Sequence, residues 1–320
     1  MFETLMLFPS LSALLPGLLQ LPEGMGRVLL LFAVLAGFVL MELRCGKENP
    51  RTSLARRSLR INLSTLVMND VLLSLLSTSF LLVLAERVAR RGLLDGLGDP
   101  WRGLATFVLL DLTLYFWHRT CHALPWLWRF HRIHHSDPFL NVSTAFRLHL
   151  VEVLLTTVIK AGFILVTGVE ATLVLASETL VTLWVMFHHA NLCVAGERWL
   201  AWLFTVPSLH RLHHSTQRDE HDRNYGFVFS FWDRLLGTLA VREPVDIGLN
   251  LTPPGNWLEL FKLGFQPLHA PADAPLPSGL VETMIAEAAY YLAEKRGFAS
   301  GFEMEDWVAA ERQILAPRQR

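Results

Sequence analysis

The sequence predicts an all-α integral membrane protein, with about four to five transmembrane or half-membrane helices and a helical cap on the cytoplasmic side. Hydrophobic residues make up 52% of the 320-residue chain and charged residues only 18%, whereas soluble domains contain about 25% charged residues. The apolar residues are gathered in long runs, and the 13 histidines are clustered. The net charge of −1 leaves no excess of basic residues for binding nucleic acid.

The apolar runs define the predicted spans. Residues 27–43, RVLLLFAVLAGFVLMEL, are long enough to cross roughly 30 Å of hydrocarbon. Residues 1–20 are apolar but interrupted by prolines, so we predict an interfacial or reentrant segment there. Three more stretches are predicted to enter the membrane, the last as a hairpin that turns near Gly168: 66–84, 104–117 and 151–187.

The loop after the first span sets the predicted orientation. Residues 44–60 contain six basic residues and one acidic residue, Glu48, and positively charged loops remain on the cytoplasmic side. Alternation of the spans then places the end of the third span, at His118, and the end of the hairpin, at His188, on that same face. We therefore expect twelve of the 13 histidines at the cytoplasmic face of the membrane.

Nine histidines recur in motifs with the spacing of one helix face. An HxxxH motif is followed by HxxHH, and a second HxxHH appears about eighty residues later, after a histidine pair that ends the hairpin. Imidazole binds iron, zinc, copper and nickel. The predicted metal ligands are His118, His122, His131, His134, His135, His189, His210, His213 and His214.

Nine imidazoles exceed the four to six ligands of one ion and therefore predict a dinuclear site. The motifs contain few carboxylates, which favours redox-active iron, although zinc fits the same nitrogens. His269 lies far downstream and is predicted to be an exposed residue.

Around these motifs, the chain resembles the fatty acid hydroxylase superfamily, in its sterol desaturase branch, over roughly residues 55–240. The segments that carry the resemblance are DLTLYFWHRTCH at 111–122, WRFHRIHHS at 128–136, TAFRLHLVE at 144–152, FHHANL at 187–192, PSLHRLHHS at 207–215 and NYGFVFSFWDRLLGT at 224–238. The resemblance implies a membrane enzyme with two iron ions and O2 as co-substrate, which hydroxylates or desaturates a sterol, fatty acyl chain or related lipid.

By position, the resemblance assigns the same nine histidines as ligands and ranks His189 above His188. The family usually has proline where this chain has Leu150, so the local turn is expected to differ. Other residues are expected to be further ligands or to orient the ligand rings: His188, His149, Glu152, Arg147, His221, Asp222, Asp111 and Tyr115.

An aromatic cluster beside the motifs has two interpretations. It lines an apolar substrate slot, or it forms an interfacial belt. Its members are Trp117, Trp126, Trp128, Phe130 and Phe139.

The chain shows no nucleotide, flavin or haem motif, so a reductase and a small electron carrier are the expected partners of such an oxygenase. Two other functions remain open at this point. A metal transporter or binding protein would distribute its ligands through the depth of the spans. A zinc-dependent lipid hydrolase would supply a carboxylate base and does not require nine imidazoles.

The predicted domains are a membrane domain at 1–243 with its motif core at 104–240, a proline-rich linker at 244–280, and a small helical module at 281–316. The module resembles a small helical domain of unknown function appended to various bacterial proteins. The resulting expectation for localisation is the bacterial inner membrane, with the metal site on the cytoplasmic face.

Overall fold

A computed structural model describes residues 25–69, 75–244, 246–249, 251–268 and 278–315. In this part of the chain the regular elements are helices, joined by three isolated β-bridges. The chain divides into two compact units, Met1–Gln266 and Pro267–Arg320. The interfacial or reentrant segment predicted at 1–20 lies outside the described residues, and so does His269.

The first unit contains twelve described α-helices and one 3-10 helix. The α-helices are α1 Met25–Cys45, α2 Ser53–Thr65, α3 Leu75–Val88, α4 Asp99–Ala123, α5 Pro125–His135, α6 Leu150–Thr167, α7 Ala171–His189, α8 Glu197–Leu200, α9 Pro207–His213, α10 Arg218–His221, α11 Phe231–Leu235 and α12 Trp257–Leu263. The 3-10 helix, Val142–Phe146, lies between α5 and α6.

Three of the described helices, α1, α6 and α7, are long and apolar enough to cross a membrane. They correspond to the first predicted span and to both arms of the predicted hairpin. The predicted span 104–117 lies within α4, which is longer and carries buried polar groups such as Arg102 and Asp111. The predicted span 66–84 overlaps α3, and its residues 70–74 lie outside the described part. Neither is among the three, so of the four to five predicted transmembrane or half-membrane helices, three in the described residues are long and apolar enough to cross completely.

The hairpin turns where the sequence predicts. Gly168 ends α6 with φ +66°, a left-handed conformation that favours glycine. Gly92 approaches this turn so closely that an added Cβ would lie 2.3 Å from the Gly168 nitrogen. Arg90 donates its backbone N–H to the Gly168 carbonyl at 2.9 Å. The loop before α4 is thereby fixed to the hairpin end opposite the histidine pair.

α4 links the apolar membrane part to the polar end of the unit. Its residues Leu110 and Leu114 pack with Val181 of α7 and with Val228. After one connecting residue, Pro125 begins α5, where the missing N–H of proline costs nothing. The last turns of α4 and α5 therefore lie beside each other, and both contain histidines.

The second unit is a pair of helices, α13 Ser278–Lys295 and α14 Glu303–Leu315, which pack against each other. Arg296 and Asp306 form an ion pair across the connection. The predicted boundaries at 243 and 280 remain predictions.

Candidate metal centre

Nine histidines meet at the ends of four helices. His118 and His122 lie in the last two turns of α4, and the first HxxHH occupies the last turn of α5. His189 ends α7, and the second HxxHH begins within α9 and finishes at its C-cap. All nine are at most 5% exposed. The helix ends thus enclose a buried space with imidazole walls.

Local sequence explains why each motif presents its rings to one side. Pro125 and Pro207 begin α5 and α9, which fixes where each short helix starts. Residues at i, i+3 and i+4 of a helix lie on one face. HxxHH therefore directs three imidazoles from a single turn toward the same space.

The imidazoles divide into two groups in which the potential ligand atoms all lie within 4.8 Å of one another. A group of five and a group of four use each of the nine predicted ligands once. The five-histidine group is His118, His122, His131, His135 and His213, and the four-histidine group is His134, His189, His210 and His214.

Close contacts between Nε2 atoms link rings within each group, and in the four-histidine group they run from His134 through His189 and His210 to His214. In the five-histidine group, Nε2 of His118 lies 3.1 Å from Nε2 of His131 and 3.0 Å from Nε2 of His213. In the four-histidine group, Nε2 of His189 lies 3.0 Å from Nε2 of His134 and 2.9 Å from Nε2 of His210.

The hydrogen bonds of the Nδ1 atoms, which are the outer nitrogens of these rings, determine which nitrogen of each imidazole carries the proton. Nδ1 of His118 faces the Tyr225 carbonyl at 2.9 Å, and Nδ1 of His213 faces the Arg223 carbonyl at 2.7 Å. A carbonyl oxygen only accepts, so both Nδ1 atoms carry the proton and both Nε2 atoms carry a lone pair. Nδ1 of His131 donates similarly to Glu152 at 2.7 Å. The three Nε2 lone pairs therefore face one another, with Nε2 of His118 about 3 Å from each of the other two. These lone pairs repel one another unless a cation lies among them.

The four-histidine group has the same chemistry. Nδ1 of His189 donates to the Val185 carbonyl at 2.8 Å, which leaves its Nε2 lone pair facing His134 and His210. Within the described part of the chain, six further ring nitrogens of the two groups are buried without a hydrogen-bond partner. They are His122 Nε2, His134 Nδ1, both nitrogens of His135, His210 Nδ1 and His214 Nδ1. The donor set therefore fits bound metal cations.

Burial keeps these rings neutral. Loss of solvation, together with the neighbouring imidazoles, lowers the pKa of His135, His213 and His214 well below the ordinary value. A neutral imidazole keeps the lone pair that a metal needs.

Two acidic residues from the predicted supporting set contact the outer side of the rings. Glu152 accepts from His131, and Asp222 lies 3.1 Å from Nδ1 of His122. His221 instead donates to the Ser215 carbonyl and stacks on Trp128, with ring centroids 5.1 Å apart. His188 belongs to neither group, and its Nδ1 donates to the Phe227 carbonyl at 3.0 Å.

Asp111 and Tyr115 affect the histidine rings indirectly, through the segment 225–238. Asp111 is fully buried and accepts from the backbone N–H groups of Val228 and Phe229 and from the indole of Trp232. The Tyr115 hydroxyl bonds the Thr238 hydroxyl at 2.7 Å. Both residues fasten the segment 225–238 to α4, and this segment supplies the carbonyl that orients His118.

Arg147 and His149 have different surroundings from Glu152. Arg147 is buried and donates to the Ile133 carbonyl, the Ser136 hydroxyl and Asn62, which holds the end of α5. His149 is the N-cap of α6 and stacks on Phe261 of α12, with ring centroids 4.8 Å apart.

Leu150 occupies the first position of α6, directly after the His149 N-cap. Proline is also well tolerated at this helix position. The departure from the family pattern therefore leaves the start of the helix intact.

The five aromatic residues of the predicted slot have separate environments. Trp128 contacts the histidine cluster, and its ring centroid lies 4.8 Å from that of His122. Phe130 packs on His149, while the Trp117 indole donates to α6. Trp126 is 52% exposed and Phe139 is buried. The substrate slot remains a prediction, and Trp128 is the member whose position best fits it.

Sequence reasoning missed the residues that orient the rings through their backbone. The carbonyls of Val185, Arg223, Tyr225 and Phe227 accept from four imidazoles. Backbone acceptors leave no side-chain signature. The only sequence signal available was the segment NYGFVFSFWDRLLGT, which contains two of these residues.

Removing the Glu152 carboxylate is expected to weaken metal binding. In Glu152→Ala, the His131 ring loses its acceptor and its fixed orientation, and groups of this kind contribute about 10- to 100-fold in affinity. The measurement is retained metal against increasing chelator. Glu152→Gln keeps a neutral acceptor and should be intermediate, whereas equal retention in all three proteins would contradict the assigned role.

The fold and site define a helical membrane protein with a buried histidine cluster of the kind that holds metal ions. Residues 103–238 match the family model described as Fatty acid hydroxylase, and residues 281–316 match a protein family of unknown function, DUF2934. These matches confirm both resemblances seen in the sequence, that of residues 103–238 to the fatty acid hydroxylase superfamily and that of residues 281–316 to the small domain of unknown function.

Curated relatives belong to the same superfamily. Alkylglycerol monooxygenase of Homo sapiens is 31% identical over 174 residues, which cover 54% of this chain and 38% of that protein. An ornithine lipid hydroxylase of Rhizobium tropici is 33% identical over 139 residues, covering 41% and 39% respectively. Cholesterol 25-hydroxylase of Homo sapiens is 29% identical over 147 residues, covering 42% and 50%. The chain thus spans between about two fifths and half the length of these relatives. No solved structure gives a significant match.

Proposed function

We propose that this protein is an O2-dependent lipid hydroxylase with two iron ions. The observation that carries the proposal is the division of nine buried imidazoles into groups of five and four, each with lone pairs converging on a common space. One ion would be held by the five-histidine group and the other by the four-histidine group. Zinc would bind the same nitrogens and is a substitute to expect on purification.

Bound iron would supply the activation of O2 and the oxidation of a C–H bond. The chain's own contribution is to orient the rings and to exclude water. Glu152, Asp222 and the carbonyls of Val185, Arg223 and Tyr225 hold protons on the outer nitrogens, so that lone pairs remain on the inner side. Trp128 covers the rings of His122 and His135 with an apolar surface.

The relatives support a lipid substrate and favour hydroxylation over desaturation. Their names specify an alkylglycerol, an ornithine lipid and cholesterol, and each is a monooxygenase or hydroxylase. A hydroxylation of this kind consumes two electrons in addition to O2. We therefore include an external reductase with a small electron carrier as a partner.

The two rival functions are less well supported. A transporter needs ligands along a path through the membrane, whereas the nine imidazoles are gathered at helix ends. A zinc-dependent hydrolase needs a carboxylate beside the metal-bound water, and both groups consist entirely of histidine.

We further propose that the histidine cluster faces the cytoplasm of a bacterial inner membrane. The support is the basic loop after α1 and the position of the cluster at the far end of α7 from Gly168. A reporter fused after Ser136 reads this orientation directly, and a periplasmic signal would contradict it.

Expression of the protein in air is expected to produce a lipid that carries one additional oxygen atom. The measurement is mass spectrometry of lipid extracts from cells with and without the gene, grown under air and under nitrogen, with ¹⁸O2 as the label. The product should appear only with both protein and oxygen and should contain ¹⁸O. An unlabelled or oxygen-independent product would replace this proposal with the hydrolase.

A further inference from the structure

Two short segments that follow α7 and α10 carry exposed apolar side chains. They are 197–204, which contains α8, and 229–236, which contains α11. Their exposed side chains include two tryptophans, at 68% and 64% exposure, and a leucine at 71%. Exposed groups of large apolar side chains indicate interaction surfaces. The members of this set, called here the apolar patch, are Trp199, Leu200, Trp202, Leu203 and Leu235.

Hydrogen bonds hold the two segments together. The backbone N–H of Ser230 donates to the Leu203 carbonyl at 3.0 Å, and the Ser230 hydroxyl donates to the Ala201 carbonyl at 2.7 Å. Arg234 donates to the same Ala201 carbonyl at 2.9 Å. The apolar patch is therefore one surface with a fixed shape, to which both segments contribute.

The segments are attached to the sides of α7 and α4. The ring of Phe204 packs on that of Trp184 in α7, with centroids 4.7 Å apart, and the Trp184 indole donates to the Thr205 carbonyl at 2.8 Å. The ring of Phe229 packs on that of Phe107 in α4, with centroids 5.8 Å apart. Both contacts lie on the membrane side of the histidines.

These contacts indicate how deep the segments lie. Trp184 precedes His189 by five residues, and Phe107 precedes His118 by 11. At 1.5 Å per helical residue, the contacts lie about 8 Å and about 16 Å from the histidine ends of the two helices. Since α7 is one of the candidate spans, the outer surface of the protein faces lipid at this depth. The chain thus leaves the span at His189 and then turns back along it.

Each tryptophan of the apolar patch is paired with an arginine. The guanidinium of Arg198 lies 5.1 Å from the ring centroid of Trp199, and that of Arg234 lies 4.5 Å from the ring centroid of Trp202. Tryptophan is enriched where hydrocarbon meets headgroups, and long basic side chains extend from apolar surroundings toward the headgroups. The two pairs therefore fit the boundary of a lipid leaflet.

The acidic side chains of the two segments are turned toward the protein. Glu197 accepts from the backbone N–H of Ser208 at 2.6 Å. Asp233 is buried and accepts from the backbone N–H groups of Tyr225 and Gly226. Arg119 of α4 is exposed and adds a third basic group near Asp233. The charge on this surface is therefore positive, opposite to that of phospholipid phosphates.

We propose that the apolar patch inserts into the lipid leaflet at the histidine end of α7, with Arg198 and Arg234 binding lipid phosphate groups at its border. The two segments then form a half-membrane insertion, in which burial of the apolar side chains in hydrocarbon stabilises the attachment. This inference concerns how the chain contacts the bilayer and does not depend on the proposed oxidation.

A spin label at Leu235 measures the depth of the apolar patch. Leu235→Cys and Val241→Cys are each introduced into the full chain, in which the exposed Cys45 and Cys193 have been replaced by serine; Cys121 is buried and is left in place. The labelled proteins are reconstituted into bilayers that contain phosphatidylglycerol. Power saturation then compares collisions of each label with O2, which enters hydrocarbon, and with a nickel chelate, which stays in water.

Val241 is the matched control because it is an apolar residue of equal exposure, 73% against 71% for Leu235. It precedes Arg242, which forms an exposed ion pair with Asp219, so its surroundings are aqueous. The label at Leu235 should favour O2, and the label at Val241 should favour the nickel chelate. The same preference for the chelate at both positions would overturn the proposal and make the apolar patch a surface for a soluble partner.

The phosphate contact is tested with Arg198→Gln. Affinity for phosphatidylglycerol, measured by native mass spectrometry, should fall about fivefold, the effect of one arginine near an anionic lipid surface. Arg218→Gln is the control, because Arg218 is 81% exposed and pairs with Asp222 outside the apolar patch. Its lipid affinity should equal that of wild type. Equal affinity in Arg198→Gln and wild type would overturn the phosphate contact.

Discussion

The His189→Ala variant is expected to lose about one of two metal ions per chain and to lose lipid oxidation by more than about 100-fold. Its Nε2 is the common neighbour of His134 and His210 in the four-histidine group. Without it that group keeps three imidazoles, whereas the five-histidine group keeps all its members. The measurements are metal per chain by mass spectrometry and ¹⁸O incorporation into lipid.

His188→Ala is the matched control for this experiment. His188 is the adjacent residue and is equally buried, at 2% exposure, but it belongs to neither group. The His188→Ala variant should therefore retain about two metal ions per chain. Loss of metal from His188→Ala, with retention in His189→Ala, would reverse the assignment of the ligand in FHHANL.

The second large effect is expected at Asp111, which contacts no histidine ring in the described contacts. Asp111→Ala leaves three buried donors without their acceptor: two backbone N–H groups and the Trp232 indole. An unsatisfied buried donor costs about 1–3 kcal/mol, so we expect the free energy of unfolding to fall by at least about 3 kcal/mol. Thermal unfolding in detergent, followed by circular dichroism, measures the loss.

Asp99→Ala on the same helix provides the control for Asp111. Asp99 is 82% exposed and pairs with Arg90 at the surface, an interaction that contributes about 0–1 kcal/mol. Its melting temperature should stay close to that of wild type. If both variants melt alike, Asp111 does not hold the segment 225–238.

The sequence predicted the parts of the fold that depend on local patterns. The first span and the hairpin are visible because apolar runs of this length have a single helical interpretation, and Gly168 marks the turn. The ligand motifs are visible because HxxxH and HxxHH place rings on one face at helical spacing. The count of nine imidazoles, too many for one ion, predicted two metal ions, a number that stays a prediction.

Other features depend on tertiary contacts and could not be predicted. Each HxxHH motif contributes to both groups, so that the adjacent residues His134 and His135 belong to different groups. This division depends on the direction of α9 relative to α5. Asp111 was predicted to support the rings, but the burial of both Arg102 and Asp111 in α4 depends on packing that no local pattern shows. Lys160 of α6 and Glu178 of α7 are 18 residues apart in sequence and form an ion pair only when the hairpin closes.

The distribution of the nine histidines along the chain has a consequence for biogenesis. Each group combines residues from before the α6–α7 hairpin with residues from after it, as His118 and His213 do. The five-histidine group lacks a member until His213 has been synthesised, and the four-histidine group lacks one until His214 has been synthesised. On the proposed function, complete metal loading therefore follows synthesis of the chain through α9, and a chain whose hairpin fails to insert would not bring either group together.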